Sequence, residues 1–175
     1  MTSPTWTAPA VDRSQPPRIA DEQTMLRTFL DYHRQTLLVK CAGLTGEQLR
    51  AAAVEPSSLT LLGLVRHMTE VERWWFRIRG GGQALEEVYC TDASPDGDFD
   101  DVAKADPAAD LLAYERECAA ADEAMAGRSL EDTFVHPRHG ETSLRWVYVH
   151  MIEEYARHNG HADLIRERID GATGE

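Results

Sequence analysis

Four stretches of the chain carry apolar residues at helical spacing, and this pattern limits the possible fold more than any other feature of the sequence. The residues concerned are Leu26, Leu30, Leu37 and Cys41; Leu61, Leu64, Val71, Trp74 and Ile78; Leu111, Tyr114, Cys118, Ala121 and Met125; and Val147, Met151, Ile165 and Ile169. A helix with one apolar face must pack that face against another element. No convincing strand, glycine-rich nucleotide motif or internal repeat competes. The sequence therefore predicts an all-α fold, a four-helix bundle.

Residue types that begin and end helices flank each of these stretches. Asp, Thr or Ser favours the start of a helix, proline is tolerated in its first turn, and glycine favours its end. These signals place the helices at about 21–42, 59–80, 106–127 and 142–170, with a short helical turn at 45–53. Residues 83–106 form an acidic loop, predicted to be an active-site cover or a mobile excursion. We expect a flexible segment at 1–20, a bundle at 21–171 and a tail at 172–175.

Charge and cysteine content exclude several classes of function. The formal net charge is -12, and the Lys and Arg residues are interleaved with Asp and Glu. Such a surface repels nucleic acids and anionic membranes, so we expect neither as a partner. The three cysteines include no C-x-x-C pair, which argues against a disulfide framework. Neither a signal peptide nor a membrane span is recognisable, and we expect a cytoplasmic protein.

The last predicted helix carries an E-x-x-x-H pair on its apolar face. Glu154 and His158 are four residues apart and therefore project side by side. They share this face with Val147, Met151 and Ile165. A buried carboxylate is costly unless something compensates for its charge. A metal ion would do so, and so would an arginine or a buried hydrogen bond.

His67 repeats this pattern on the second long helix, because it lies three residues after Leu64 and four before Val71. In a bundle, His67 can meet Glu154 and His158 in the core. Two imidazoles and one carboxylate make a three-ligand site with open positions, as catalytic metals require. The alternative is that each histidine is an ordinary core residue with a satisfied hydrogen bond.

Other histidines lie near this predicted site. His150 and His161 flank the pair on the last helix, and either could support a ligand or replace one. His33 lies between Leu30 and Leu37. Two interpretations stay open: it packs in the core with a satisfied hydrogen bond, or it lines the cavity of the predicted site. A short loop contains His136 and His139, which we expect to be exposed.

The second long helix also carries an arginine series and an aromatic run. We expect Arg66, Arg73, Arg77 and Arg79 to form a solvated face. The run Trp74-Trp75-Phe76 is typical of packing in the core and at a helix end.

Two segments of the chain resemble the DinB-like superfamily of metal-binding four-helix bundles. They are LTLLGLVRHMTEVERWWF at 59–76 and SLRWVYVHMIEEYARHNGHADLIRERIDG at 143–171. The match is close to its mycothiol-dependent enzymes and extends over about 21–171. Members have one His on the second helix and an H-x-x-x-H or E-x-x-x-H pair on the last, often continued as H-x-G-Q. The resemblance implies that His67, Glu154 and His158 bind the metal. His161 replaces the usual Gln, so it competes with Glu154 as the middle ligand.

The resemblance also implies thiol chemistry with one divalent metal ion per chain, zinc first, with nickel, iron or manganese as alternatives. Related branches transfer mycothiol or a similar small thiol to an electrophile, or use mycothiol to isomerise maleylpyruvate. A bound cation favours the thiolate, so no nucleophilic side chain is needed. Superfamily members are often dimers, which implies a homodimer. Metal-dependent hydrolysis and a non-catalytic, metal-binding stress-response role remain as alternatives.

Overall fold

The computed structural model describes residues 5–174 and is mostly helical, with 56% of the chain in helix. Its helices are α1 (Glu22–Cys41), α2 (Gly46–Leu49), α3 (Leu61–Glu72), α4 (Gly97–Asp100), α5 (Pro107–Ala124) and α6 (Leu144–Asp170). A π-helix, Arg73–Gly80, continues α3, and a 3₁₀ turn, Val102–Lys104, follows α4. The strands β1 (Thr133–His136) and β2 (Gly140–Ser143) form an antiparallel hairpin.

The helix boundaries follow the capping residues that the sequence offers. The side chain of Asp21 accepts a hydrogen bond from Thr24 N at the start of α1, and Asp106 and Ser143 cap α5 and α6 in the same way. Gly171 ends α6 with a φ of 78°, a left-handed conformation that glycine adopts without steric cost. The predicted starts of these three helices are confirmed.

The core lies between the long helices. Helix α1 packs along α6, α3 packs along α5, and α3 also contacts α6 and α1. Most residues of the predicted apolar stretches are buried there, among them Leu30, Leu37, Leu61, Leu64, Leu111, Tyr114, Val147, Met151 and Ile165. The contact between α3 and α6 matters most for the site, because His67 lies on α3, and Glu154 and His158 lie on α6.

The hairpin corrects the expectation of a chain without strands. Phe134 pairs with Thr142 and His136 with Gly140, and the hairpin packs against the π-helix. His136 is buried, against the prediction of exposure, because its ring stacks on Trp75 at 5.5 Å between ring centroids. The neighbouring histidine of the turn, His139, is exposed as predicted.

The π-helix changes which residues of this segment face the core. Trp74 and Ile78, predicted to be buried, are half-buried, whereas Phe76 of the π-helix is fully buried, as is Glu72, the last residue of α3. A π-helix uses i→i+5 hydrogen bonds, so side chains after its start leave the positions that a continuous α-helix would give them. The charge of Glu72 is compensated by Arg34, whose guanidinium donates to both of its carboxylate oxygens at 2.7 Å.

The arginine series is not a solvated face, so that prediction is wrong. Arg66 is buried and contacts Asp110 at 3.1 Å. Arg73 and Arg77 both bind the buried carboxylate of Glu117, at 2.7 and 2.9 Å. These arginines therefore connect the α3 segment, which is α3 together with the π-helix that continues it, to α5.

The segment before α1 also contacts the folded core. Ala8 is buried and its backbone exchanges hydrogen bonds with Leu44 and Gly43. Residues 1–4 and 175 lie outside the described part, and the flexibility of 1–20 and the tail at 172–175 remain predictions. Among the described helices, none combines the length and the apolar character that crossing a membrane requires.

Candidate metal centre

Three predicted ligands converge between α3 and α6. His67, Glu154 and His158 each offer one donor atom, and these atoms lie within 4.8 Å of one another. His158 Nε2 is 3.4 Å from Glu154 Oε2, and the rings of His67 and His158 have centroids 4.8 Å apart. Their side chains are 26%, 19% and 13% exposed in chain order. The group is therefore largely shielded by the protein and partly accessible to solvent.

A carboxylate from the acidic loop fixes the ring of His67. Asp98 Oδ2 lies 2.8 Å from His67 Nδ1, so this nitrogen is occupied and Nε2 is left for another partner. Burial raises the pKa of Asp98, but the hydrogen bond and charge of His67 outweigh this effect and lower it. A carboxylate behind a histidine is the arrangement that orients metal-ligating imidazoles in many proteins. Phe99 stacks on the same ring, at 5.0 Å between centroids.

The loop is held in place by the same face of α3 that carries His67. The guanidinium of Arg66 donates to the carbonyl oxygens of Asp98 and Gly97, at 3.0 and 2.9 Å. Glu70 accepts a hydrogen bond from the backbone nitrogen of Cys90 at 2.9 Å. These contacts secure the loop beside the donor group. Of the two predicted alternatives, a cover or an excursion, the loop lies against the site.

Asp98 was missed by the sequence analysis. Its only signal is the run Asp96 to Asp101 in a loop too long to be a simple connection. That run contains several carboxylates, and no helical or strand periodicity predicts which of them points toward the site.

The surroundings of His158 favour its neutral form. Burial first, and then the charges of His67, His161 and Arg157, lower its pKa to about 4. Neutral imidazole is the form that binds metals. Its Nδ1 atom is buried and makes no hydrogen bond with any described residue.

His150 occupies the other side of Glu154. Its Nε2 is 3.6 Å from Glu154 Oε1, and its Nδ1 is 3.8 Å from Glu153 Oε2, so these residues form a second group of possible donors. The ring is enclosed by Trp146 and Trp75, at 4.7 and 4.8 Å between centroids. His150 is therefore placed to support Glu154 from the side away from His158.

The two remaining predicted residues lie outside both donor groups. The ring of His161 is 5.5 Å from that of His158, and its Nδ1 is buried without a hydrogen-bond partner among residues 5–174. His33 receives a hydrogen bond on its carbonyl oxygen from Asn159 and lines a separate cleft with Arg13 and Tyr32.

A cavity of about 280 Å³ opens beside the donor group. His67 lines it together with Val71, Trp74 and Trp75 of the α3 segment, and Phe99 and other residues of the acidic loop form its opposite wall. A small molecule in this cavity would contact His67. The site thus combines a cluster of metal-type donors with space for a substrate.

One comparison with known proteins gives a match. The family model described as mycothiol-S-transferase matches residues 25–171, a span that includes all three converging donors and the acidic loop. No curated protein and no solved structure matches the chain. The family model covers most of the sequence and agrees with the resemblance seen in its helices. The chain belongs to the mycothiol-S-transferase family.

Proposed function

We propose that this protein is a metal-dependent mycothiol S-transferase that joins the thiol to an electrophilic small molecule. The observation that carries the proposal is the convergence of His67, Glu154 and His158, with Asp98 behind His67. Family membership supports the thiol and the type of reaction. The three converging donors are proposed to hold one divalent ion per chain.

The donor set fits such an ion. Two imidazoles and one carboxylate suit zinc, and also nickel, iron and manganese. The donor atoms lie within 4.8 Å of one another, so one ion can reach all three after small side-chain adjustments. Three protein ligands leave at least one position open for a substrate atom. When bound, the ion favours the thiolate of the substrate over its thiol at neutral pH.

The residues of this chain position the reactants. Asp98 accepts a hydrogen bond from Nδ1–H of His67 and thereby leaves Nε2 of that ring available to the proposed ion. Trp74, Trp75 and Phe99 line the cavity and limit the access of water to the reacting sulfur. Glu154 is flanked by imidazoles on both oxygens, which restricts its orientation.

No cysteine of the chain is suited to replace the substrate thiol. Burial raises the pKa of Cys41 to about 12 and that of Cys90 to about 11. Burial also raises the pKa of Cys118. A thiol with a raised pKa is a poor nucleophile at neutral pH, because little thiolate is present. This supports a mechanism in which the attacking sulfur belongs to the substrate.

The proposal extends to architecture and cellular context. The long helices α1, α3, α5 and α6 are proposed to form a DinB-like four-helix bundle around the metal, with 21–171 as its extent. We further propose a homodimer in the cytoplasm, where its three free cysteines would remain reduced.

A thiol-conjugation assay tests the function. We expect the metal-loaded protein to accelerate reaction of mycothiol with a panel of electrophiles, and metal removal or His67→Ala to abolish the acceleration. Adding metal back should restore the stripped protein but not the variant. His139→Ala, at an exposed position on the hairpin, is the matched control and should stay active. Equal rates for all forms would contradict the proposal. Metal binding without thiol transfer would favour hydrolysis or a non-catalytic role, and isomerisation of maleylpyruvate alone would favour the isomerase.

A further inference from the structure

The cavity beside His67 has aromatic walls on the side of the α3 segment and on the side of the acidic loop. Trp74 and Trp75 come from the π-helix, and Phe99 comes from the loop and stacks on His67. Aromatic faces favour flat, conjugated ligands, which stack on them with a large contact area. An aromatic electrophile would thus bind with its ring between these walls and next to the proposed metal ligands.

Apart from the imidazole of His67, the charged side chains that line the same cavity are all carboxylates. Glu70, Glu87, Asp96 and Asp98 line it, and none of the described lining residues is Lys or Arg. Arg66 is engaged by Asp110 and two loop carbonyls. A neighbouring cleft contains Arg79, but together with Glu86, Glu87 and Asp92. The formal charges that line this neighbouring cleft therefore also sum to a negative value.

A bound divalent ion does not reverse this charge. Its two positive charges are reduced to one by Glu154, which leaves four cavity carboxylates against one positive charge. The thiolate form of the substrate would add a further negative charge. An anionic electrophile entering this cavity therefore meets repulsion throughout the reaction, whereas a neutral or cationic one does not.

The carboxylates divide into an inner and an outer pair. Glu70 and Asp98 are buried and hold the loop and His67 through hydrogen bonds. Glu87 and Asp96 are exposed at the rim, and the side chain of Asp96 does not cap α4. The outer pair can therefore be neutralised without removing the contacts that build the site.

We propose that the aromatic walls and the carboxylate rim select uncharged or cationic aromatic electrophiles and exclude anionic ones, with Glu87 and Asp96 as specificity-determining residues. This inference rests on the proposed transferase function. In the reaction, the thiolate sulfur forms a bond to the electrophilic carbon and the leaving group departs with its bonding electron pair. The thiol proton is released to the buffer.

Binding of unreactive probes to the metal-loaded protein tests the selectivity without turnover. The probes are a dinitrobenzamide, the matching dinitrobenzoate, and an amide of the same ring that carries a trimethylammonium group. Saturable quenching of tryptophan fluorescence reports binding, because Trp74 and Trp75 line the cavity. We expect the anionic probe to bind about tenfold more weakly than the neutral one at low salt, and the difference to shrink as salt is added.

The double variant Glu87→Gln/Asp96→Asn should reduce this difference to about twofold. The control is Glu115→Gln/Glu123→Gln, which removes the same number of charges from exposed positions on α5 and should leave the difference intact. Equal binding of all three probes to the unmodified protein would overturn the proposal. So would an equal effect of the two double variants, because the selectivity would then come from the net charge of the whole protein.

A parallel assay with mycothiol and the chloro-substituted forms of the three probes separates this inference from the proposed function. There the carbon–sulfur bond replaces the carbon–chlorine bond and chloride leaves. Charge-selective binding without any turnover would overturn the transferase activity and support the selectivity of the cavity. Turnover with equal binding of the three probes would overturn the selectivity alone.

Discussion

At the scale of single residues, Asp98 determines how His67 is presented to the site. It belongs to the acidic loop, is itself buried, and binds His67 Nδ1 at 2.8 Å. Asp98→Asn keeps the size of the side chain but removes the charge that supports a metal-bound imidazole. We expect zinc affinity to fall about 10- to 100-fold, the usual effect of losing such a supporting carboxylate. Competition with a chelating indicator measures this change.

The control for this variant lies two residues earlier in the same loop. Asp96 is exposed and its side chain makes no capping hydrogen bond, so Asp96→Asn should bind zinc like the unmodified protein. Unchanged affinity in Asp98→Asn would show that His67 does not depend on this carboxylate.

Glu154 and His161 can be distinguished as the middle ligand by matched substitutions to glutamine. Glu154 shares the donor group with His67 and His158, whereas His161 lies outside it. Glu154→Gln should therefore weaken zinc binding strongly, and His161→Gln, which introduces the residue common in the superfamily, should change it little. Calorimetric titration of both variants gives the comparison. The reverse order of affinities would assign the position to His161.

The cysteines offer a prediction that follows from pKa. The pKa of Cys90 is raised to about 11 and that of Cys41 to about 12, so at about pH 8 roughly a thousandth or less of each thiol is ionised. Alkylation by iodoacetamide should be slow at that pH and should quicken only as the pH approaches these values. Mass spectrometry follows the modification. Rapid alkylation near neutral pH, with loss of thiol transfer, would assign the nucleophile to the chain.

Single-residue patterns predicted part of the site. Glu154 and His158 lie four residues apart on one helix, so their proximity follows from helix geometry alone. His67 was predicted through its apolar neighbours. Asp98 was not, because its contact with His67 spans 31 residues and is set by how the loop folds back.

At the scale of elements, the junction of α3 and the π-helix is where the sequence pattern and the structure differ most. A continuous α-helix would place Trp74 and Ile78 inside, whereas the π-helix buries Phe76 and follows the buried Glu72. No residue type in the segment marks this change of hydrogen bonding. The partners of Arg66, Arg73 and Arg77 on α5 are about 40 residues away, so their burial could not be predicted from local charge patterns either.

The buried pair at this junction yields a stability prediction. Arg34 donates two hydrogen bonds to Glu72, and Tyr155 donates a third at 2.8 Å. Glu72→Gln leaves the guanidinium without its main counter-charge in a buried position. We expect the free energy of unfolding to fall by about 3–5 kcal/mol, as for other broken buried pairs. Urea denaturation followed by circular dichroism measures it.

An exposed ion pair serves as the comparison for this variant. Glu22→Gln disrupts the contact between Glu22 and Arg145, whose side chains are both solvent-accessible, and should change stability little. Similar stability of Glu72→Gln and Glu22→Gln would show that the buried pair does not hold α1 against the α3 segment.

The hairpin was missed for a different reason. Each strand has four residues, and the segments TFVH and GETS lack the apolar alternation that distinguishes a strand. What stabilises them is packing of His136 against Trp74 and Trp75, a tertiary contact.

At the scale of the whole molecule, apolar periodicity and capping residues predicted the long helices and most of their boundaries. They did so because local hydrogen bonding and the burial of one face act within each helix. They did not predict the relative placement of the acidic loop and the hairpin, which depends on contacts between distant residues. The loop lines the cavity beside the candidate site, and the hairpin packs against Trp74 and Trp75, which line the same cavity.

The central claim is that one divalent ion binds to His67, Glu154 and His158, and zinc titration of the metal-stripped protein tests it most directly. Calorimetry should give one tight site per chain for the unmodified protein and for His139→Ala, a control at an exposed position. His67→Ala and His158→Ala should each lose tight binding, because two protein ligands hold zinc far less well than three. One tight site per chain in both of these variants, or none in the unmodified protein, would contradict the account.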